Sequence, residues 1–512
     1  MRGWALALVA STGLSCGRGC GAQEAARPRT LVLGTTQEPA TLDPAFVLRS
    51  SERALSALVY RGLVERGDDG RVRPDLAAEL PEIETSSAGA RVRWTLRPGL
   101  QWARGRPVGT EDVVLGHRVA THPELEARGA IASEATIHPL DALRFEVRWP
   151  RAVHLASAPG VHPVLPAYAY PALEAAGPAS RGLGWSAEAA NGPFRLEEHR
   201  PGQWASFVPN PVWVGPRPGL DRVVYRFFPS EDAFDLELAS GGLDGLGPAS
   251  GASASHLLRL AKTLPDHTLV RTPSGMLLQL LVQLSHPLLG QRGVRQRLSA
   301  AVDRETMAQR VYDGLARPAY GIYGQIHPAH SSRAASEEQG TELPKGTRLT
   351  LAIASGSEAS ERAAVHLRDA FSAVGVELSI DAKPLRVLLD ALESGHAAPL
   401  TLFALRTRPD WSGDTLLASD GRMAWTGYRN PELDAHFWAA EHTLDEAVWI
   451  SELRAAEALV MRDLPIIPLL FRDELTLVPR DLKGWKPTGT SSPVTWNAEA
   501  WRRSPTGAQS PR

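Results

Sequence analysis

Between Arg348 and Leu405 the apolar residues change period and change back, and this restricts the fold more than any other feature of the chain. RLTLAIAS (Arg348 to Ser355) reads as a strand. From Ser360 to Val374 the spacing becomes helical, with Leu367, Phe371 and Val374 on one face, and Gly375 closes the helix. VELSI (Val376 to Ile380) is a strand again. Strand, helix and strand in so short a span form a βαβ unit, which requires a parallel pair with a right-handed crossover. A helical stretch from Pro384 to Leu392, stopped by Gly395, and the strand PLTLFAL (Pro399 to Leu405) extend the pattern. The class is therefore α/β.

The rest of the chain is compatible with that class. LVLGTT (Leu31 to Thr36) is a buried strand, and TLDPAF (Thr41 to Phe46) a loop, because Pro44 bars helix at the residue before it. Ser51 to Tyr60 has Leu55, Leu58 and Val59 on one helical face. Alternation marks LRFEVRW (Leu143 to Trp149) as a strand, and Pro150 to Pro178 is irregular with short helix. WASFVPN and LDRVVYRFF are two further strands. After Gly293, Val294, Leu298, Ala301 and Val302 share a helical face; Asp303 caps a second helix, with Met307 and Val311 inward, that ends at Gly314. A helix from Asp445 to Met461 leads into LPIIPLLF.

At 512 residues the chain is too long for one ordinary core and implies two or three domains. With 43% hydrophobic and 22% charged residues it is globular, and a formal charge of -2 gives no case for nucleic acid or anionic lipid. The five lysines, among many arginines, form no dense basic run. No stretch is long and apolar enough to span a membrane. Arg2, the apolar WALALVA and the small residues up to Cys16 have the shape of a secretory signal. Both cysteines, Cys16 and Cys20, lie in this leader, so the body has no thiol nucleophile, thiolate metal site or internal disulfide.

Signals of catalysis are absent. No HExxH or Walker loop occurs, and the only GxSxG-like string lies in the leader. GGLDGLGPASG (Gly241 to Gly251) reads as a plain loop. His327 and His330, in HPAH, have no acidic neighbour and read as surface histidines. LRPGLQWARGRPVGTEDVV (Leu96 to Val114) packs glycines, arginines and acids together like an active site. Its Pro-Gly and Gly-Arg-Pro punctuation instead reads as strand, hairpin and helix start, with Thr110 as cap and Glu111 and Asp112 in the first turn.

A resemblance covers roughly Leu31 to Trp496. TLDPA, LVYRGLVERGDDGRVRPDLAAEL, the Leu96–Val114 stretch, NGPF at Asn191 and NPVWVGPRPGLDRVVYR at Asn210 carry it. So do the SGxxD turn of Ser240 to Asp244, GVRQRLSAAVDRETM, GYRNPELDA and DLPIIPLL. In that order and spacing the chain resembles the extracytoplasmic solute-binding proteins of peptide and nickel ABC transporters, bacterial extracellular solute-binding protein family 5. The resemblance implies a two-lobed periplasmic binding protein fold, type II-like, with an extra inserted α+β domain. On this chain 1–29 is leader and linker and 30–66, 185–271 and 477–501 are lobe I. Residues 67–184 are the inserted domain, 272–476 lobe II and 502–512 a polar tail.

The same resemblance implies a non-catalytic, exported carrier that captures a peptide or similar small solute between its lobes for an ABC permease. It is expected to be periplasmic or in the cell envelope, monomeric, and without cofactor or metal. Cys16 matches the lipid-modified cysteine of bacterial lipoproteins, except that Gly13 stands where leucine is usual, so anchoring to the membrane stays open. In peptide-binding relatives an aspartate in a W-x-x-D-Y-type loop pairs with the ligand ammonium. Here LRTRPDWSGD puts Asp410 and Trp411 in those places, with Thr407 where the earlier aromatic would be. Arg406 and Arg408 flank the site and can pair with Asp410 or with a ligand carboxylate. Leu48, Arg49 and Ser50 match the ligand-facing segment of lobe I, and Trp425 stands where relatives commonly have asparagine, a place that also suits core packing. A nickel, haem or oligosaccharide carrier, or a sensor or enzyme on the same fold, remain the alternatives.

Overall fold

The computed structural model describes residues 29–47, 49–86, 89–122, 134–154, 158, 162–170, 182–247, 250–331, 340–488 and 494–504. The chain opens with β1 (Thr30–Thr35) and the helix Ser50–Val59, followed by a short antiparallel pair, β2 (Val64–Arg66) and β3 (Val72–Pro74). β4 (Glu82–Ser86), β5 (Gly89–Thr95), β6 (Thr136–Pro139) and β7 (Arg144–Trp149) make a separate antiparallel sheet in the order β4-β5-β7-β6. The chain then rejoins β1 through β8 (Phe194–Arg200), β9 (Trp204–Pro209), β10 (Arg222–Phe227) and β11 (Gly245–Leu246). β12 (His267–Val282) carries it out of this first lobe. β13 (Ala316–Pro318), β14 (Thr347–Ala354), β15 (Val376–Lys383) and β16 (Leu400–Arg406) build a second lobe, and β17 (Ile466–Pro479) returns.

All of these except β2 to β7 belong to one sheet of order β15-β14-β16-β12-β17-β11-β1-β10-β9-β8, with β13 beside β17. β14 lies parallel to β15 and to β16, as the βαβ pattern requires, with the helix Glu358–Ser372 as crossover. Helices cover both faces of this half. Leu298, Met307, Leu367 and Phe371 pack on one face and Phe437, Leu453 and Val460 on the other. In the first lobe, Leu31, Leu33, Leu55 and Leu58 share one core with Trp94, Trp102 and Phe145 of the four-stranded domain. Among the described residues no helix is long and apolar enough to cross a membrane.

The two lobes communicate through β12 and β17, which pair antiparallel from His267↔Pro479 to Leu281↔Ile466. The ladder slips between Pro273 and Met276 and again between Leu278 and Gln279, where Pro468 is the partner. A proline has no N–H to give, so each slip is where a continuous ladder would be weakest and bending cheapest. At the first slip the Asp473 carboxylate, almost wholly buried, is gripped by Arg271 from β12 and Arg317 from β13.

Many residues that carry the resemblance are braces. Asn191 pairs with the Arg61 backbone in both directions, 2.8 Å through Oδ1 and 3.3 Å through Nδ2. Asp43 accepts from the N–H groups of Ala45 and Leu183, both 2.9 Å. The buried Arg61 meets Glu499 at 2.6 Å and Glu65 at 2.9 Å, tying the start of the chain to its end. Two local expectations change. The helix Thr110–Ala120 is capped by Asp112, whose carboxylate takes the Gly109 N–H at 3.0 Å, while the Thr110 hydroxyl donates to the Asp141 carbonyl. Gly245–Leu246, inside the segment read as a loop, is strand β11 between β1 and β17, because its backbone is the filler that joins the two halves of the sheet.

Candidate functional site

β16 ends at Arg406, and the next residue decides what its neighbours can do. Thr407 is buried, its N–H and its hydroxyl both donating to the Gly275 carbonyl of β12, at 2.7 and 2.9 Å. Side chains alternate along an extended chain, so Arg406 and Arg408 leave the side opposite Thr407. Their side chains are 29% and 53% exposed, enough to meet solvent or a ligand. The Trp411 N–H then donates to the Arg408 carbonyl at 3.1 Å, a turn that brings Asp410 back over the strand end.

Asp410 is 10% exposed. Its Oδ1 lies 3.3 Å from Arg408 Nε and its Oδ2 3.8 Å from Arg66 Nη2, which comes from β2 across the gap between lobes. Arg66 is steadied by Nη1, which donates to the Gly70 carbonyl at 2.8 Å. Burial lowers the Arg66 pKa; Asp410 opposes that shift and Arg408 adds to it. Oδ1 of Asp410, though 3.3 Å from Arg408 Nε, receives no aligned hydrogen bond among the described residues. A buried carboxylate oxygen without a donor is costly, so this oxygen is available to an incoming one.

Behind Asp410 stands an aromatic column. Trp411 meets Tyr323 edge-on at 6.1 Å, Tyr323 stacks on His327 at 4.3 Å, His327 tilts against Trp449 at 5.4 Å, and Trp449 stacks flat on His154 at 4.2 Å. His154 follows β7 of the four-stranded domain, whereas Trp449 is in the helix Glu446–Asp463 of the second lobe, so the column ends in a contact between domains. Burial pushes the His154 pKa down to about 4 and that of His327 to about 3, keeping both rings neutral near pH 7. Nδ1 of His327 accepts the Ala329 N–H at 3.0 Å, so Nε2 carries the proton and donates to the Trp411 carbonyl at 3.0 Å. This corrects the surface reading of His327: it is buried and holds the loop after Asp410 by its backbone. His330 is also engaged, at 2.8 Å from the Tyr323 carbonyl. No three His, Cys, Asp or Glu among the described residues are grouped to hold a metal.

From the first lobe, Arg49 is the cap of the helix Ser50–Val59, its N–H held by Glu52 Oε2 at 2.9 Å, and Ser50 is the first helical residue. Leu48 and Cys16 lie outside the described residues. One turn on, Arg53 is partly buried with Arg406, Arg408, Glu474 and Glu52 as its charged neighbours; burial and then the two arginines lower its pKa. Trp425 packs edge-on against Phe403 at 5.4 Å, and its carbonyl accepts from Gln283 Nε2 at 2.9 Å. Sequence reasoning thus had Asp410, Arg406 and Arg408 together, with Thr407 in the same loop, but missed Arg53, Arg66 and Glu474. Arg53 was within reach, since it lies four residues from Arg49 on the same helical edge; nothing local marks the others.

The pattern of the bacterial extracellular solute-binding proteins, family 5 (middle part), matches residues 71–422. Protein XP55 of Streptomyces lividans is 25% identical over 86% of this chain and 83% of its own. The oligopeptide-binding protein AppA of Bacillus subtilis is 20% identical over 94% of both chains, and its structure, solved with a nonapeptide, superposes with a TM-score of 0.72 over 93% of this chain and 99% of that one. The ABC transporter substrate-binding protein CtaP of Listeria monocytogenes superposes with a TM-score of 0.80 at 18% identity, covering 93% of this chain and 99% of that one. At such identities the structures establish the shared fold.

Proposed function

We propose that this chain, which belongs to the bacterial extracellular solute-binding proteins of family 5, captures a peptide or similar small solute between its lobes and delivers it to an ABC transporter permease. The observation that carries the reading is the Asp410 carboxylate: only 10% exposed, faced by guanidinium groups at 3.3 and 3.8 Å, and with one oxygen that receives no aligned hydrogen bond. A solute ammonium there forms a charge-assisted pair that gains strength as closure removes water. Arg406 and Arg408, with Arg49 and Ser50 opposite, are the proposed remaining contacts. Trp411 and Trp425 are proposed as apolar walls. The lobes turn about the irregular middle of β12 and β17, a hinge closure that ligand favours by bridging both sides.

The carrier reading also includes export, with Cys16 as the proposed anchor to the membrane, and a binding rather than a catalytic role. Its test is a thermal and scattering titration of the purified mature chain with a panel of di- to pentapeptides. A binding peptide at about 100 times its Kd stabilises the folded state by about 2.7 kcal/mol and reduces the radius of gyration. A panel that moves neither quantity removes the peptide reading. Mass spectrometry of the protein from its native host, with and without Cys16→Ser, reads the anchor as a lipid mass that disappears.

A further inference from the structure

Asp410 offers one negative charge to two guanidinium groups, Arg408 at 3.3 Å from Oδ1 and Arg66 at 3.8 Å from Oδ2. Arg408 is 53% exposed, so water screens it. Arg66 is 11% exposed against 10% for Asp410, and little water lies between those two charges. The place of Arg66 is set by its own hairpin. Arg66 pairs with Val72 of β3, the Gly70 N–H donates to the Gly67 carbonyl at 3.1 Å, and Arg66 Nη1 donates to the Gly70 carbonyl at 2.8 Å. At 3.8 Å its Nη2 attracts the Asp410 carboxylate without a hydrogen bond, and Oδ1 is left with no aligned donor. Glu446 also acts on Arg66, more weakly than Asp410, and the buried His154 ring beside them is neutral near pH 7. Two acids and two guanidinium groups thus balance before a solute arrives. An ammonium entering there adds a positive charge to a poorly hydrated, neutral group. A neutral N–H or O–H can serve Oδ1 and adds none.

We propose that Arg66 is a resident counter-ion of Asp410 and sets the class of cargo: this end of the cleft takes a neutral N–H or O–H donor about as well as an ammonium, so N-blocked peptides are cargo along with free-amine ones. This rests on the carrier reading and adds a specificity residue to it. An ammonium still gains from Asp410 but meets the repulsion of Arg66, whereas an amide N–H meets none. The two nearly cancel, and removing the charge of Arg66 restores the preference for the ammonium.

The test is calorimetry of the full mature chain with di-, tri- and tetra-alanine, each with a free and with an N-acetylated amine. In the parent chain the two forms are expected to bind within about threefold of each other. Arg66→Gln, which keeps an N–H for the Gly70 carbonyl without the charge, raises the ratio of free-amine to acetylated affinity to about tenfold or more. Arg66→Lys, which keeps the charge, holds the ratio near that of the parent. Asp410→Asn added to Arg66→Gln abolishes the gain, because the two charges act on the same cation. A parent preference of tenfold or more for the free amine, a ratio that Arg66→Gln leaves unchanged, or an equal loss for both forms overturns the proposal and leaves the carrier reading standing. Should Arg66→Gln fail to fold, the ratios of the parent and Arg66→Lys chains decide by the same threefold and tenfold limits. Binding by no probe removes the peptide reading and the inference with it.

Discussion

Asp112 is buried and Asp410 is only 10% exposed, each beside a tryptophan, and their hydrogen bonds separate their roles. Asp112 accepts from Trp102 Nε1 at 3.0 Å, the Gly109 N–H at 3.0 Å and the Ala167 N–H at 2.8 Å, so its oxygens are fully used in joining three segments. Asp410 has long ion pairs and an oxygen without a donor. Removing a carboxylate of the first kind orphans buried donors; removing one of the second kind takes only long ion pairs from Arg66 and Arg408. Asp112→Ala is expected to destabilise the chain by about 3 kcal/mol, from two or three abandoned donors, and to leave ligand affinity untouched. Asp410→Asn is expected to change chemical stability little and to weaken binding of a free-amine peptide about tenfold or more. Urea titration and calorimetry on both variants check the contrast; equal stability losses would place Asp410 with the braces. In the sequence only Asp410 adjoins an aromatic residue, Trp411, and nothing there distinguishes a filled carboxylate from an unfilled one.

At the scale of elements, the βαβ part of the second lobe was legible because its helices are runs of one period ended by glycine, Gly375 and Gly395 closing them in the left-handed region at φ of 82° and 73°, whereas β13 and the helix Pro431–Glu441 were not read from the sequence. The family motifs were legible too, but their residues brace the fold. Asn191, Asp43 and Asp303 satisfy backbone groups, and Arg295 holds the carbonyls of Leu289 and Asp463. The cleft is different. Arg53, Arg66, His154, Tyr323 and Trp449 are far apart in the chain and meet only through strand pairing and domain contact, which periodicity does not record. The joint that positions the cleft is the docking of Thr407 on Gly275. A Cβ on Gly275 would stand 1.9 Å from the Thr407 carbonyl oxygen, so that close approach needs glycine. Gly275→Ala is therefore expected to cost about 1–3 kcal/mol through overpacking and to move the Arg406–Asp410 segment. Calorimetry should show affinity falling by more than the stability loss explains, and unchanged affinity would mean that this joint does not set the site.

For the molecule as a whole, two opposed groups of buried ionisable side chains govern its response to pH. His154, His162 and His327 have pKa values lowered by burial to about 4, 3 and 3. Lowered below the free value of about 6.5, they contribute stability above that pH, and this is lost as pH falls through the folded values. Glu441, beside Asp414, is raised by burial and by that carboxylate to about 8. Its contribution has the opposite sign: present below the free value of about 4.5 and lost as pH rises toward 8. The melting temperature should therefore peak near pH ~6 and fall on both sides. Glu441→Gln, which imitates the protonated acid, should flatten the alkaline limb and His162→Phe the acid limb. His154 adds a consequence that the others lack, because its partner Trp449 belongs to the other lobe. Charging that ring in its buried stack weakens the contact by which the four-stranded domain meets the second lobe, so acid should favour the open arrangement before the lobes unfold. Scattering at pH 7 and pH 4.5 should show expansion in the parent chain and much less in His154→Phe, which keeps the stack without the titration. Equal expansion in both would place the acid response elsewhere in the molecule.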